Sequence, residues 1–228
     1  MTRISEVFRT KKPLIIYITA GDPNLKATEK LILELEKKGA DIIELGIPFS
    51  DPLADGAVIQ ASHQRALRSG TTFSKIIQMI QRVRKKTKVP LVLMGDYNLF
   101  TNYGLEKFGK AALDNQIDGV VIPNLPVEES ATILQIARGK NFAVIFLAAL
   151  TTPLERLKKI SELSSGFIYF VAVKGVTGTR KALDSALLPA IRKLKSLTSK
   201  PIAVGFGITT PIQAKKISRV ADGIIIGS

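Results

Sequence analysis

The stretch ADIIELGIPFSDPLADG, Ala40 to Gly56, decides how the chain is read. Its first seven residues form an apolar run that predicts a strand covered on both faces. Glu44 interrupts that run, and a carboxylate among Ile42, Ile43 and Leu45 costs free energy if buried without a partner. The segment that follows carries two more acids, Asp51 and Asp55, among prolines and a glycine that mark a loop. A buried strand that ends on a carboxyl group and opens into an acid-bearing loop points to chemistry at a strand end.

The same unit recurs outward from this stretch. Short β-rich runs fall at Leu14–Thr19, Asp41–Leu45, Leu91–Met94, Gly119–Ile122, Ala143–Leu147, Ile168–Val173, Ile202–Val204 and Gly223–Ile226. Helical stripes lie between them: Leu31, Ile32 and Leu35, closed by Gly39; Phe73, Ile76, Ile77, Ile80 and Val83; Ile133, Leu134 and Ala137; Leu187, Ile191 and Leu194. Alternating strands and helices make parallel sheets joined by crossover helices. Eight strands with no dividing linker favour a (β/α)8 TIM barrel, an α/β fold, as a single domain over residues 1–228, above an open doubly wound sheet. The sequence stops at Gly227-Ser228, and the helix expected after the eighth strand is absent from it.

Composition narrows the chemistry. With 228 residues and 46% hydrophobic composition, a sizeable core is expected. There is no cysteine, and His63 is the one histidine, so neither a cysteine-based nor a histidine-cluster metal site is available. No residue pattern points to a metal or a dinucleotide. The net charge of +14 could draw nucleic acid or phosphorylated substrates. Its lysines and arginines are scattered over helical segments without interleaved aromatics, which argues for solvated surface and against nucleic acid. No apolar stretch is long enough for a membrane span, and the N-terminus lacks the apolar core of a signal peptide. A cytoplasmic protein is the expectation. His63, beside Gln64 and Arg65, reads as a surface residue.

In a barrel the reacting groups gather at the C-terminal ends of the strands. Glu44, Asn98, Asn124, Tyr169, Gly175-Val176-Thr177-Gly178, Gly205-Phe206-Gly207 and Gly227-Ser228 all fall at or near such ends. The glycines suit phosphate, because backbone N–H groups can approach an anion where no Cβ intervenes. Gly178, Gly207, Gly227 and Ser228 are the phosphate candidates. The acids suit proton transfer: an apolar site raises the pKa of Glu44, while Asp55 in a wetter loop stays ionised. Two plainer readings stand beside this one, a structural ion pair between Glu44 and a lysine, and turn chemistry for Asp55 in Ala54-Asp55-Gly56.

Taken together, these motifs resemble the tryptophan synthase α subunit family. The resemblance is carried by Thr19-Ala20-Gly21-Asp22-Pro23, residues 44–56, Asn98, Leu125-Pro126-Val127-Glu128-Glu129, Gly175-Val176-Thr177-Gly178 and Gly205-Phe206-Gly207-Ile208, and it spans nearly the whole chain. It implies retro-aldol cleavage of indole-3-glycerol phosphate to indole and glyceraldehyde 3-phosphate. It casts Glu44 as the general acid/base and Asp55 as the carboxylate holding the indole N–H. Tyr17, Asp96, Asn124, Tyr169 and Thr177 become substrate-site residues. Pro48, Asp51 and Asn98 become contacts to a β subunit in an α2β2 complex. No cofactor is implied for this chain; pyridoxal phosphate belongs to the β partner. The chain departs from the family pattern at Asp96, where a tyrosine is common, at Asn124, where an aspartate is common, and at Val173, where a polar residue is frequent. Asp96 and Asn124 are expected to lie around the indole pocket. An unmet carboxylate there would make a poor apolar wall and weaken the lyase reaction, leaving activation of β as the main role.

Overall fold

The computed structural model describes residues 2–52, 55–172, 186–205 and 207–227. Within these, parallel strands alternate with helices from α1 (Arg3–Thr10) to β9 (Gly223–Ile226). The strands are β1 (Leu14–Thr19), β2 (Ile42–Gly46), β3 (Leu91–Met94), β4 (Gly119–Val121), β5 (Ala143–Ile145), β6 (Leu147–Ala149), β7 (Ile168–Val171), β8 (Ile202–Gly205) and β9. They form one sheet in the order β5-β4-β3-β2-β1-β9-β8-β7-β6. Its two end strands, β5 and β6, are separated in the chain by Phe146 alone. The sheet therefore comes round on itself as a near-closed barrel of eight staves.

The stretch read as a single strand, Ala143–Leu147, is divided at Phe146. Below the division β5 pairs with β4; above it β6 pairs with β7. Phe146 is where the stave exchanges one neighbour for the other, and its carbonyl accepts Tyr169 N over 3.0 Å. A local apolar pattern cannot register such a change of partner.

Side-chain alternation sorts each strand into two faces. Ile15, Ile42, Val92, Val121, Ile145, Ala203 and Ile225 meet inside the barrel. Ile43, Leu45, Leu93, Val120, Val144 and Val204 face outward into the layer under the helices. The helices that cover this layer include α2 (Leu25–Lys37), α3 (Ala57–Arg68), α4 (Phe73–Arg84), α5 (Tyr97–Tyr103), α6 (Leu105–Asp114), α7 (Ala131–Ala137), α8 (Leu154–Leu163), α9 (Leu187–Leu197) and α10 (Pro211–Ser218). Gly39 ends α2 as expected, with φ of 97° and Ala40 N bonded to Leu35 O at 2.9 Å.

The lower mouth of the barrel is sealed by α1, which the periodicity reading passed over. Ile4 is fully buried in the inner cluster, and the Phe8 and Phe167 rings lie 5.3 Å apart. Asp118 anchors this end through Arg3 Nε at 2.6 Å and Arg84 Nη2 at 2.7 Å, and its Oδ2 also accepts Leu91 N. With the floor packed and charged groups satisfied there, the upper mouth is left to carry chemistry. No helix among the described residues is long and apolar enough to cross a membrane.

Candidate active site

On β2 the residues alternate inward and outward, and Glu44 is two positions on from inward-facing Ile42, so its carboxyl enters the barrel. In register it stands between Tyr17 of β1 and Val92 of β3. Glu44 is 2% exposed, and neither carboxyl oxygen hydrogen-bonds a described residue. Among the described residues no lysine forms an ion pair with it. Burial, followed by the nearby Asp55 charge, pushes its pKa up to about 8. At neutral pH Glu44 carries its proton.

Two tyrosines stand beside it. Tyr17 lies over Gly46, where any Cβ would run into the Tyr17 phenol. Tyr169 lies over Gly205, where a Cβ would fall 2.6 Å from Tyr169 Oη. Burial first, with Asp55 and Glu44 adding charge repulsion, holds the Tyr17 hydroxyl well above its ordinary pKa. Tyr169 is likewise raised, by burial and then by Glu44, Tyr17 and Asp55. Both remain neutral donors.

Asp55 closes the loop after β2, immediately before Gly56, the residue that starts α3. Its main chain is fixed at both ends: Asp55 N donates to Pro52 O at 3.1 Å, and Gln60 Nε2 donates to Asp55 O at 2.8 Å. Burial raises its pKa to about 6, lower than that of Glu44. The two acids are thus driven apart by environment, one protonated and one ionised near pH 7.

The structure brings Glu44, Asp55, Tyr17 and Tyr169 into one electrostatic neighbourhood. Asp96 and Asn124 follow the neighbouring strands β3 and β4. Asp96 caps α5, with its Oδ1 accepting Asn98 N at 2.8 Å, and its Oδ2 accepts Asn124 Nδ2 at 2.9 Å. Asn124 Oδ1 in turn accepts Tyr97 N at 2.8 Å. Both residues belong to the rim, and the unmet carboxylate expected in an apolar pocket is a met one. A cavity of about 210 Å³ opens on the side of this rim, lined among others by Pro123, Asn124, Phe146, Leu147 and Arg156.

Of the phosphate candidates, Gly207 has a φ of 74°, which favours glycine, and Gly227 is exposed with Tyr17 beneath it, so that a Cβ would lie 3.3 Å from that ring. Thr177, Gly178 and Ser228 lie outside the described residues, as does Val173. Asp51 and Asn98 are exposed, whereas Pro48 is buried within the chain, so it shapes the loop and offers no free side chain.

His63 corrects the sequence reading. It is 5% exposed on α3, not a surface residue. Its Nδ1 accepts Phe49 N at 3.2 Å, its Nε2 lies 3.1 Å from Tyr17 Oη, and Asp55 Oδ2 is 3.9 Å from Nε2. A signal was present: positions 59, 62, 63 and 66 share one helical face. That face is made of Ile, Ser, His and Ala, so a search for an apolar stripe misses it. Ser62 also meets Thr19 of β1, with the hydroxyls 2.6 Å apart, and so α3 docks on β1 through polar pairs.

A buried, protonated carboxyl in a barrel mouth, coupled to an ionised carboxylate, is an arrangement suited to proton transfer. The family model described as tryptophan synthase alpha chain matches residues 5–228. The chain belongs to that family. It is 47% identical to the tryptophan synthase alpha chain of Geotalea uraniireducens (strain Rf4), in an alignment covering 100% of this chain and 87% of that one. The Petrotoga mobilis alpha chain is 46% identical over 100% of this chain and 88% of its own length. Among solved structures, Mycobacterium tuberculosis tryptophan synthase superposes with a TM-score of 0.92 at 30% identity, over 99% of this chain and 88% of that chain. A chain of the Pyrococcus furiosus tryptophan synthase a2b2 complex gives 0.87 at 37% identity, over 94% and 87%. A tryptophan synthase alpha chain is built on the barrel seen here, with Glu44 and Asp55 at its upper mouth.

Proposed function

We propose that this chain cleaves indole-3-glycerol phosphate to indole and glyceraldehyde 3-phosphate, as the α subunit of a cytoplasmic α2β2 tryptophan synthase. The observation that carries the reading is the buried carboxyl of Glu44, without a hydrogen-bond partner among the described residues. A group left so is costly to stability and is retained where a reacting atom completes it.

The chemistry assigns each proton. Indole is a poor carbanion leaving group, so C3 must first be protonated. Glu44, neutral at the pH of the cell, donates that proton and gives an indolenine with positive charge on nitrogen. Asp55, ionised, accepts the indole N–H and stabilises that charge. Glu44, now a carboxylate, takes the proton of the adjacent glycerol hydroxyl. The C–C bond breaks, its electron pair restores the aromatic indole, and the hydroxyl carbon becomes the aldehyde. The proton that left Glu44 is replaced, so the acid is ready again. Tyr17 and Tyr169 supply ring faces and neutral hydroxyls beside the substrate. Gly207 and Gly227, with Gly178 and Ser228, are assigned to the phosphate, and Thr177 to Asp55.

Docking to a β subunit is assigned to the rim that carries Asp51 and Asn98. The partner's pyridoxal phosphate would then consume the indole. A weakly catalytic subunit that chiefly activates β is the rival reading, and it rests on Asp96 and Asn124. The Asp96 carboxylate is hydrogen-bonded by Asn124 and the α5 backbone, which favours the lyase reading over this rival. The test is indole release from indole-3-glycerol phosphate, with and without β subunit. No release in either condition would reject the lyase reading.

A further inference from the structure

His63 takes no part in the chemistry above, yet it touches three elements of the site. Its ring is buried at the junction of α3 with β1 and the loop after β2. Nδ1 faces the backbone N–H of Phe49, which can only donate. No second proton can sit on Nδ1 without breaking that bond. Burial also holds the imidazole below its ordinary pKa, in the neutral form. The one ring proton of a neutral imidazole is therefore on Nε2. That N–H is within hydrogen-bond reach of Tyr17 Oη, 3.1 Å away, while Asp55 Oδ2 lies 3.9 Å from Nε2, beyond a hydrogen bond but near enough to feel the ring dipole.

We propose that His63 is a positioning residue: its neutral Nε2–H donates to Tyr17 Oη and sets the positive end of the ring dipole beside the Asp55 carboxylate, favouring its ionised form. The positive end of a dipole beside a carboxylate favours the charged form over the neutral one. Among the described residues, the other titratable groups that act on this cluster bring no positive charge to Asp55: Glu44 on β2 shares its repulsion, and Tyr17 on β1 and Tyr169 on β7 are neutral phenols. Arg65, the nearest cation on α3, is spent outside on Asp22, with contacts of 2.8 and 2.7 Å. His63 is thus the ring on α3 that stands beside the Asp55 carboxylate, while Gln60 of the same helix holds the Asp55 main chain. The inference rests on Asp55 being a working carboxylate, but its test does not require turnover.

This chain has a single histidine, so its ring is directly readable. Long-range proton–nitrogen spectra of the free protein are expected to show a neutral ring with the proton on Nε2 at pH 7. A ring protonated on Nδ1, alone or as imidazolium, would overturn the proposal. The second measurement follows the Asp55 carboxyl carbon through a pH titration in the wild type, His63→Leu and His63→Gln. The Asp55 midpoint should rise by about half a pH unit in His63→Leu, as expected for losing a nearby dipole that makes no direct hydrogen bond. It should return towards the wild-type value in His63→Gln, whose amide can donate. An unchanged midpoint in a folded His63→Leu would sink the idea. If the leucine variant does not fold, the ring spectrum and the glutamine titration decide: a glutamine midpoint more than about half a unit above wild type would reject it. An inactive lyase would leave these results standing, and a negative result here would leave the lyase assay standing.

Discussion

Asn124 Nδ2 donates to Asp96 Oδ2 across 2.9 Å, joining the loops that leave two neighbouring strands of the barrel. Each residue also holds the start of α5, Asp96 through Asn98 N and Asn124 through Tyr97 N. The two departures from the family pattern are therefore one feature: a carboxylate acceptor facing an amide donor.

Separate and joint replacement of the pair should be non-additive. Asp96→Ala removes a helix cap and is expected to cost about 1 kcal/mol. Asn124→Ala removes the same contact from the other side, and a double-mutant cycle should show coupling of about 1 kcal/mol. Asn124→Asp should be worse than alanine at pH 7, because it sets two carboxylates face to face. Their mutual repulsion raises the folded-state pKa, so that variant should regain stability as the pH falls and one acid protonates. Urea denaturation at pH 7 and pH 4.5 checks the order; additive costs would place the contact outside the folding energetics.

Glu44→Gln should remove lyase activity by roughly 10²–10⁴-fold while the barrel stays folded. It should also change how stability depends on pH. The Glu44 carboxyl is raised to about 8 in the folded chain, so the folded state holds a proton that the unfolded state has lost. Stability is then full below the ordinary glutamate range and declines as the pH climbs towards 8. That decline, on the order of a few kcal/mol, should be absent in the glutamine variant. Equal pH slopes for wild type and variant, in chemical denaturation at pH 5, 6.5 and 8, would contradict it.

The pH profile of kcat/KM should be bell-shaped. Activity needs Asp55 ionised and Glu44 protonated, so it rises through about pH 6 and falls through about pH 8. The two acids interact, so the midpoints belong to the pair. A Glu44→Gln background with measurable residual turnover should lose the alkaline limb. A profile flat from pH 6 to 9 in the wild type would show that neither acid is titrating in the rate-limiting chemistry.

Gly46→Ala should be damaging although it adds one methyl group. The new Cβ would occupy the space of the Tyr17 phenol, and the strand cannot yield because both its neighbours are paired in register. A cost of about 1–3 kcal/mol is expected from overpacking. Tyr17→Ala in the same chain should restore thermal stability, since it empties that space. Failure of the second change to rescue the first would place the strain elsewhere.

Asp51→Ala should leave indole release by the isolated chain unchanged and weaken activation of a β subunit. Asp51 is exposed in the loop after β2, and no described residue forms a salt bridge with it. Binding titration with β subunit, beside the β reaction rate, reads the effect; identical affinity and rate would move the contact to another part of the rim.

The sequence by itself determined the eight staves, four of the helices between them, the carboxyl in its apolar strand and the loop acid. Each of those is written locally. Short continuous apolar runs and period-3.6 stripes set the elements, and Glu44 stands out because it interrupts an apolar run. Those local signals also supplied the glycines of the upper mouth, since a backbone that must pass close to something leaves no room for Cβ. Only the tertiary structure decided what these groups meet. Asp96 and Asn124 are 28 positions apart and satisfy each other across two loops, which turned an expected liability into a hydrogen bond. His63 looked like surface because its chain neighbours are polar, yet 46 residues separate it from the phenol it contacts. The division at Phe146 likewise depends on which strand lies alongside. Local sequence reports periodicity and side-chain chemistry. Burial, partner and charge state arise only when distant segments are brought together, and these three quantities decide what a carboxyl or an imidazole does.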